Sequence, residues 1–156
     1  MAVIKNCPLC QSRKDKGVYC GVRWRVLLVD DVDYPGFCRV VWNDHVPEVT
    51  DLSVEERSEL MAAVWTVETC VREVMQPDKI NIASLGNQVP HLHWHVIPRY
   101  ENDKHFPDSV WSVARRPTDE KTTGLRRGRV TDLERRLRAT LIEQYGNQEL
   151  TLLCPN

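Results

Sequence analysis

Three histidines alternate with apolar residues in one short segment, and this alternation limits how the chain can fold more than any other feature. The segment reads His91-Leu92-His93-Trp94-His95. Side chains on a β-strand point to opposite faces with a period of two, so the pattern predicts a strand with three imidazoles on one face. The apolar residues share the other face and are expected to pack on the core. A strand holds such a row rigidly, as a catalytic site requires.

The remaining segments indicate an α+β fold. Residues 18–29 and 37–42 have strand character and flank a turn rich in Asp, Pro and Gly, so they are expected to form a hairpin. Residues 80–84 and 91–98 are the other predicted strands. Because strands and helices do not alternate as βαβ units, the class is an antiparallel sheet with few helices.

Two amphipathic helices are predicted, each from a capping box, an apolar stripe and a stop signal. The first helix is indicated by Ser53, Glu56, the stripe Leu60, Val64, Val67, Val71 and Val74, and an end near Gln76 before Pro77. The second, C-terminal helix is indicated by Thr131, Glu134, the stripe Leu133, Leu137, Leu141 and Tyr145, and Gly146.

Length and charge restrict the class of protein. The 156 residues (1–156) fit one domain, and 42% hydrophobic residues suffice for a core. No run approaches the roughly 20 apolar residues of a membrane span. The N-terminus lacks the apolar run of a secretory signal, which favours the cytoplasm. The net charge of −1 gives no global attraction for nucleic acid, and the basic stretch 115–138 is interpreted as solvated surface.

A row of histidines fits two chemistries. Two of them can bind zinc, as in a zinc-dependent hydrolase. Alternatively, a neutral imidazole can attack an electrophile while a neighbouring one hydrogen-bonds the leaving group. An ordinary solvated polar face is the simplest alternative, but histidine is scarce and three in a row are hard to explain in that way.

The flanking residues decide between these chemistries. Residues 86–99, from Gly86 to Arg99, resemble the signature of the histidine triad (HIT) family, in which three histidines alternate with apolar residues after a glycine-containing loop. The similarity, to bacterial-type diadenosine polyphosphate hydrolases in particular, covers about residues 5–100. Its other parts are residues 26–30, 35–37 and 40–45 and the helix that follows Ser53.

The resemblance implies a five-stranded antiparallel sheet per subunit with a central and a C-terminal helix, a core over about residues 5–110, and a variable tail over 111–156. It further implies a homodimer. The implied activity is that of an enzyme, a nucleotidyl hydrolase or transferase. It would cleave at the α-phosphate of a dinucleoside polyphosphate or a nucleoside phosphoramidate.

The resemblance also assigns roles to residues. His93 attacks the α-phosphorus and carries the nucleotide, His95 assists departure of the leaving group, and His91 fixes the geometry of the row. The nucleotide-binding residues carried over are Asp30, Asn81, Gly86, Asn87, Gln88 and Val89. Asn87-Gln88 departs from the commoner Gln-Thr or Gln-Ser, so the hydroxyl of the family pattern is missing.

A pair of cysteines adds a candidate metal site. Cys7 and Cys10 have the C-x-x-C spacing of zinc sites, and some zinc-bearing HIT relatives combine such a pair with histidines that correspond to His45 and His91. Four protein ligands leave no open position, so a zinc ion here would be structural, and catalysis would require no cofactor. The alternative is two free thiols near the N-terminus.

Two other functions stay open at this point. A non-catalytic nucleotide-binding protein would bind nucleotide without turnover. A zinc-dependent hydrolase would use the histidine row itself to hold a catalytic metal and would lose its activity on chelation.

Overall fold

The chain forms a five-stranded antiparallel sheet, in a computed structural model that describes residues 4–12 and 17–147. The strands are β1 Tyr19–Cys20, β2 Trp24–Leu28, β3 Cys38–Trp42, β4 Lys79–Ala83 and β5 His93–Arg99. They lie side by side in the order β1-β2-β3-β5-β4. The predicted α+β class with an antiparallel sheet is confirmed.

The helices are α1 Pro8–Gln11, α2 Val54–Met75, α3 Glu120–Arg127 and α4 Val130–Tyr145. Two of them cover one face of the sheet. The long helix α2 packs on β5 and β3, and the C-terminal helix α4 packs on α2 and β1. Among the described residues, no helix has the length and apolarity needed to cross a membrane.

Helix α2 begins and ends where the sequence predicts. The hydroxyl of Ser53 accepts the backbone N–H of Glu56, and the Glu56 carboxylate accepts the N–H of Ser53, so the capping box is confirmed. The helix ends at Met75, and the next residue, Gln76, takes a left-handed conformation with φ 51°. The apolar stripe of α2 is core, since Leu60, Val64, Val67 and Val71 are fully buried within the chain.

The first hairpin differs from the prediction. A single strand over residues 18–29 is wrong, because the chain turns after Gly21 and returns as β2, which pairs antiparallel with β1. Val22 in this turn is half exposed. The turn between β2 and β3 needs Gly36, which has φ +88° and lies so close to Met75 that a Cβ would come within 2.9 Å of its methyl group.

The C-terminal capping box is also wrong. Helix α4 begins at Val130, directly after α3, so Thr131 is already inside the helix. The capping residue of this region is Asp119, whose carboxylate accepts two backbone N–H groups at the start of α3. The predicted apolar stripe of α4 is confirmed, and its buried residues are Leu133, Leu137 and Leu141.

The histidine strand starts two residues later than predicted. Strand β5 begins at His93, and His91 precedes it in an irregular segment. Val96 of β5 belongs to the core under the helices, and Trp94 packs against it. The period of two therefore places His93 and His95 on the opposite face, away from α2 and α4.

Candidate functional site

His93 and His95 line a cavity of about 370 Å³ on the face of the sheet opposite α2 and α4. Their rings meet edge to face, with centroids 4.7 Å apart. Strand β3 supplies Arg39, which is the register partner of His95. The lining residues are Pro8, Leu9, Arg39, Leu85, Asn87, Gln88, Val89, His93, His95 and Trp111.

The ring of His93 is held in one tautomer. Its Nδ1 lies 2.6 Å from the carbonyl oxygen of His91, and a carbonyl only accepts, so Nδ1 carries the proton. Burial lowers the pKa of His93 below its usual value, and the positive charge of Arg39 contributes to this shift. The neutral ring therefore keeps the lone pair of Nε2 for a ligand in the cavity.

His95 is also neutral. Burial first, and then the charge that His93 carries when it is protonated and the charge of Arg39, lower the pKa of His95 to about 3. Its Nδ1 is buried without a hydrogen-bond partner among the described residues, and the rings of Phe37 and Trp111 both contact the imidazole. An anionic phosphate in the cavity would raise this pKa again, because negative charge stabilises the imidazolium.

Most of the loop before the histidines reaches the cavity. Asn87 and Gln88 are exposed lining residues, and Val89 lines the same wall. Gly86 is not a lining residue. A Cβ at Gly86 would meet no atom closer than 3.7 Å, at Pro90, so the structure shows no steric need for glycine there.

Two other predicted nucleotide-binding residues lie outside the cavity lining. Asp30 is exposed, and its neighbour Asp31 accepts the backbone N–H groups of Asp33 and Tyr34 in a turn. The amide oxygen of Asn81 already accepts a hydrogen bond of 2.5 Å from Arg99.

Trp111 and Arg39 are not among the site residues that the sequence predicts. Trp111 belongs to the irregular segment after β5, and its ring centroid lies 5.1 Å from that of His95 although half of the side chain is exposed. No sequence signal indicates this contact. Arg39 did leave a signal, since it is the one charged residue within the apolar strand over residues 37–42.

A buried ion pair folds the segment of Trp111 back over the sheet. Arg99 donates to the carboxylate of Asp103, and the side chains of both residues are almost fully buried. Burial alone would raise the pKa of Asp103, but Arg99 and the backbone N–H groups of Tyr100 and His105 outweigh it and lower the pKa. Arg99 also donates to the carbonyl of Asp108, close to Trp111 in the chain.

A second cluster joins the N-terminal segment to the histidine row. Cys7 and Cys10 each place Sγ 3.4 Å from Nδ1 of His91, and Cys10 lies 3.5 Å from Nδ1 of His45. All four ligand atoms lie within 4.8 Å of one another. A tetrahedral zinc ion would separate sulfur and nitrogen ligands by about 3.5 Å, so the donor set fits the metal in type and spacing.

His91 connects this cluster to His93. Its Nε2 donates a proton to the carbonyl oxygen of Trp42 over 2.7 Å, which leaves the lone pair of Nδ1 directed at the two sulfur atoms. Metal-binding histidines commonly donate their other ring nitrogen to a carbonyl in this way. Since the carbonyl of His91 in turn accepts Nδ1–H of His93, one residue contacts both the cluster and the cavity.

The N-terminal segment is anchored by Arg25, which sequence analysis also missed. This side chain is almost fully buried and donates to the carbonyl of Leu9 and to the amide oxygen of Asn43. The anchor holds the turn between Cys7 and Cys10 against strands β2 and β3. Of the histidine row, only His91 joins the metal-ligating group found among the described residues.

Curated relatives match part of this chain. A bis(5'-nucleosyl)-tetraphosphatase (asymmetrical) from Schizosaccharomyces pombe is 32% identical over 83 residues, which cover 50% of this chain and 46% of the relative. An AP-4-A phosphorylase from Mycobacterium tuberculosis is 33% identical over 78 residues, covering 46% of this chain and 40% of the relative. The chain thus spans about half the length of these relatives.

Solved structures share the fold. A histidine triad protein from Bradyrhizobium japonicum is 28% identical with a TM-score of 0.65, covering 83% of this chain and 92% of that chain. One from Marinobacter aquaeolei is 26% identical with a TM-score of 0.62, covering 81% and 93%. The sequence model of the HIT domain matches residues 13–102, more than half of the protein. The chain therefore belongs to the HIT domain family.

Proposed function

We propose that this protein is a nucleotidyl hydrolase or transferase that cleaves at the α-phosphate of a dinucleoside polyphosphate or a nucleoside phosphoramidate. The observation that carries the proposal is the hydrogen bond from Nδ1 of His93 to the carbonyl of His91. It fixes a neutral nucleophile at the wall of a cavity that also holds His95 and a permanent positive charge at Arg39.

Two displacements complete the reaction. His95 takes up a proton when the anionic substrate binds. Nε2 of His93 forms a bond to the α-phosphorus, the bond from phosphorus to the bridging atom breaks, and the leaving group takes that electron pair and the proton from His95. Water then attacks the phosphorus, the phosphorus–nitrogen bond breaks, and its electron pair returns to His93. The proton lost by water restores His95, so the enzyme ends as it began.

An isotope experiment tests the position of attack. In ¹⁸O-water, diadenosine tetraphosphate is expected to give AMP that carries the label and ATP that does not, because water attacks the α-phosphorus. Adenosine phosphoramidate is tested in parallel and should release AMP. Mass spectrometry of the products locates the label, and AMP incubated with the protein in labelled water controls for exchange.

Other product patterns contradict the proposal. Label in ATP would place the attack at the β-phosphorus, and two molecules of ADP would mean cleavage at the centre of the chain. AMP binding without turnover of either substrate would indicate a nucleotide-binding protein.

A separate reaction with inorganic phosphate tests which acceptor resolves the intermediate, since the Mycobacterium tuberculosis relative is named a phosphorylase. Formation of ADP in that reaction would identify phosphate as the acceptor.

We also propose that the cluster of Cys7, Cys10, His45 and His91 binds a structural zinc ion. Support comes from the burial of both cysteines and His91 and from a sulfur–nitrogen spacing that matches tetrahedral zinc. The ion would supply a cross-link between the N-terminal segment and the sheet. His91 would then keep its carbonyl in place for His93.

A homodimer remains part of this proposal. A sheet that continues into a second subunit needs an edge strand, and β1 and β4 are the edges of this sheet. Strand β4 has five residues and β1 only two, so β4 offers more unpaired backbone groups. Light scattering at micromolar concentration should give the mass of two chains, and the mass of one chain would contradict the expectation.

A further inference from the structure

We propose that Arg39 binds the first phosphate beyond the bond that is broken, and thereby selects nucleotides with a polyphosphate chain over nucleoside phosphoramidates. This inference rests on the proposed function and names the leaving group for it. Nothing in the resemblance to the HIT family assigns a role to this residue.

The first argument is the position of Arg39 on the sheet. It pairs with His95 across β3 and β5, whereas His93 pairs with Val41. Paired residues of neighbouring strands project to the same face with their Cβ atoms about 5 Å apart. Arg39 therefore lies beside His95, and both lie further along the strands than the nucleophile His93. A leaving group departs opposite the attacking atom, so it departs toward this side of the cavity.

The second argument is that, among the described residues, the guanidinium of Arg39 has no hydrogen-bond or salt-bridge partner. Within the described part of the chain, Nε of Arg39 is buried without a hydrogen-bond partner, and none of the salt bridges involves this side chain. Asp31 acts on it electrostatically, but that carboxylate already accepts two backbone N–H groups. A buried donor without a partner is costly, and a phosphate oxygen in the cavity would satisfy it.

Unlike Arg39, several arginines of the C-terminal segment have salt-bridge or hydrogen-bond partners. Arg115 pairs with Asp108, Arg116 donates to the carbonyl of Glu101, and Arg136 pairs with Glu73. These guanidinium groups have partners on the surface of the protein. Among the residues that line the cavity, Arg39 is the one with a permanent positive charge, and none of them is acidic.

The packing of Arg39 suggests which variants separate charge from shape. Its guanidinium carbon lies 5.7 Å from the ring centroid of Phe37, so the side chain also fills space beside that ring. Arg39→Met keeps an apolar stem and removes the charge, whereas Arg39→Lys keeps the charge. Arg138→Met is the matched control, because Arg138 lies on the exposed face of α4 and contacts only Glu134 among the salt bridges of the described residues.

Binding of two nucleotides that differ by one phosphate tests the inference. Isothermal titration calorimetry compares AMP with α,β-methylene-ADP, which the enzyme cannot split between its phosphates. In the wild type, the diphosphate is expected to bind about 10- to 100-fold more tightly than AMP, which is the gain in affinity expected for one charge-assisted hydrogen bond. Arg39→Met should abolish this difference and leave the affinity for AMP within about threefold. Arg39→Lys should restore part of it, and Arg138→Met should retain all of it.

The outcomes separate this inference from the proposed function. An equal loss of affinity for both nucleotides in Arg39→Met would place Arg39 at the α-phosphate, and a wild type without preference for the diphosphate would leave it no role in binding. Either result overturns the inference while the proposed function stands. A wild type that binds neither nucleotide contradicts the proposed function itself, and the inference with it. Steady-state turnover should follow binding, with kcat/KM of Arg39→Met falling much further for diadenosine tetraphosphate than for adenosine phosphoramidate.

Discussion

Replacing His93 with alanine is expected to lower kcat on diadenosine tetraphosphate by at least about 10⁴-fold, because loss of a covalent nucleophile removes the first displacement entirely. The fold should persist, since the hydrogen bond that His93 makes to His91 links neighbouring residues in the chain. AMP release followed by chromatography measures the rate, and thermal unfolding checks the fold. His95→Ala should lose less, about 10²- to 10⁴-fold, as expected for a group that assists by proton transfer.

Chemical rescue separates a nucleophile from a residue that only shapes the cavity. In His93→Gly the space of the ring becomes free, and added imidazole should restore part of the turnover by attacking the phosphorus in its place. The same imidazole should not restore His95→Gly to a comparable extent, since the nucleophile is intact there. Wild-type rates in His93→Ala would show that His93 carries no intermediate, and would favour a route in which water attacks directly.

The strand of the histidines shows what local sequence patterns can predict. A period of two between imidazoles and apolar residues is a property of the backbone, so it places His93 and His95 on one face whatever surrounds them. The exact start of the strand cannot be predicted from this period, because it depends on where the pairing between β3 and β5 ends. The hydrogen bond from Trp42 N–H to the carbonyl of Leu92 takes His91 out of the row and turns it toward the cysteines.

The rest of the cavity depends on contacts between distant parts of the chain. Trp111 reaches His95 because contacts such as the ion pair of Arg99 with Asp103 hold the irregular segment after β5 on the sheet. Leu9 reaches the cavity because Arg25, 16 residues further along, holds its carbonyl. Neither contact has a periodicity or a spacing that a sequence pattern reveals. Asp30 and Asn81 show the converse, since residues carried over by resemblance lie outside the cavity lining in this chain.

Removing the metal is expected to destabilise the protein strongly, because a zinc ion bound only by the native state adds its binding free energy to folding. At a free zinc concentration of about 1,000 times Kd, the contribution is about 4 kcal/mol. For a chain of this size, this corresponds to a fall in Tm on the order of 10 °C. Differential scanning calorimetry with and without a chelator measures the shift, and elemental analysis should find one zinc per chain.

Cysteine variants show whether the shift comes from this cluster. Cys10→Ser should have a low Tm that no longer responds to the chelator, because Cys10 contacts both histidines of the cluster. Cys38→Ala is the matched control. It removes a buried thiol outside the cluster, so its Tm should fall through lost packing and still respond to the chelator. If the wild type contains no zinc and its Tm does not respond to the chelator, the four side chains only pack together.

Turnover of the chelated protein distinguishes a structural from a catalytic metal. Chelated protein that stays folded at low temperature and still turns over substrate would show that the metal is structural. Complete loss of turnover without unfolding would favour a zinc-dependent hydrolase.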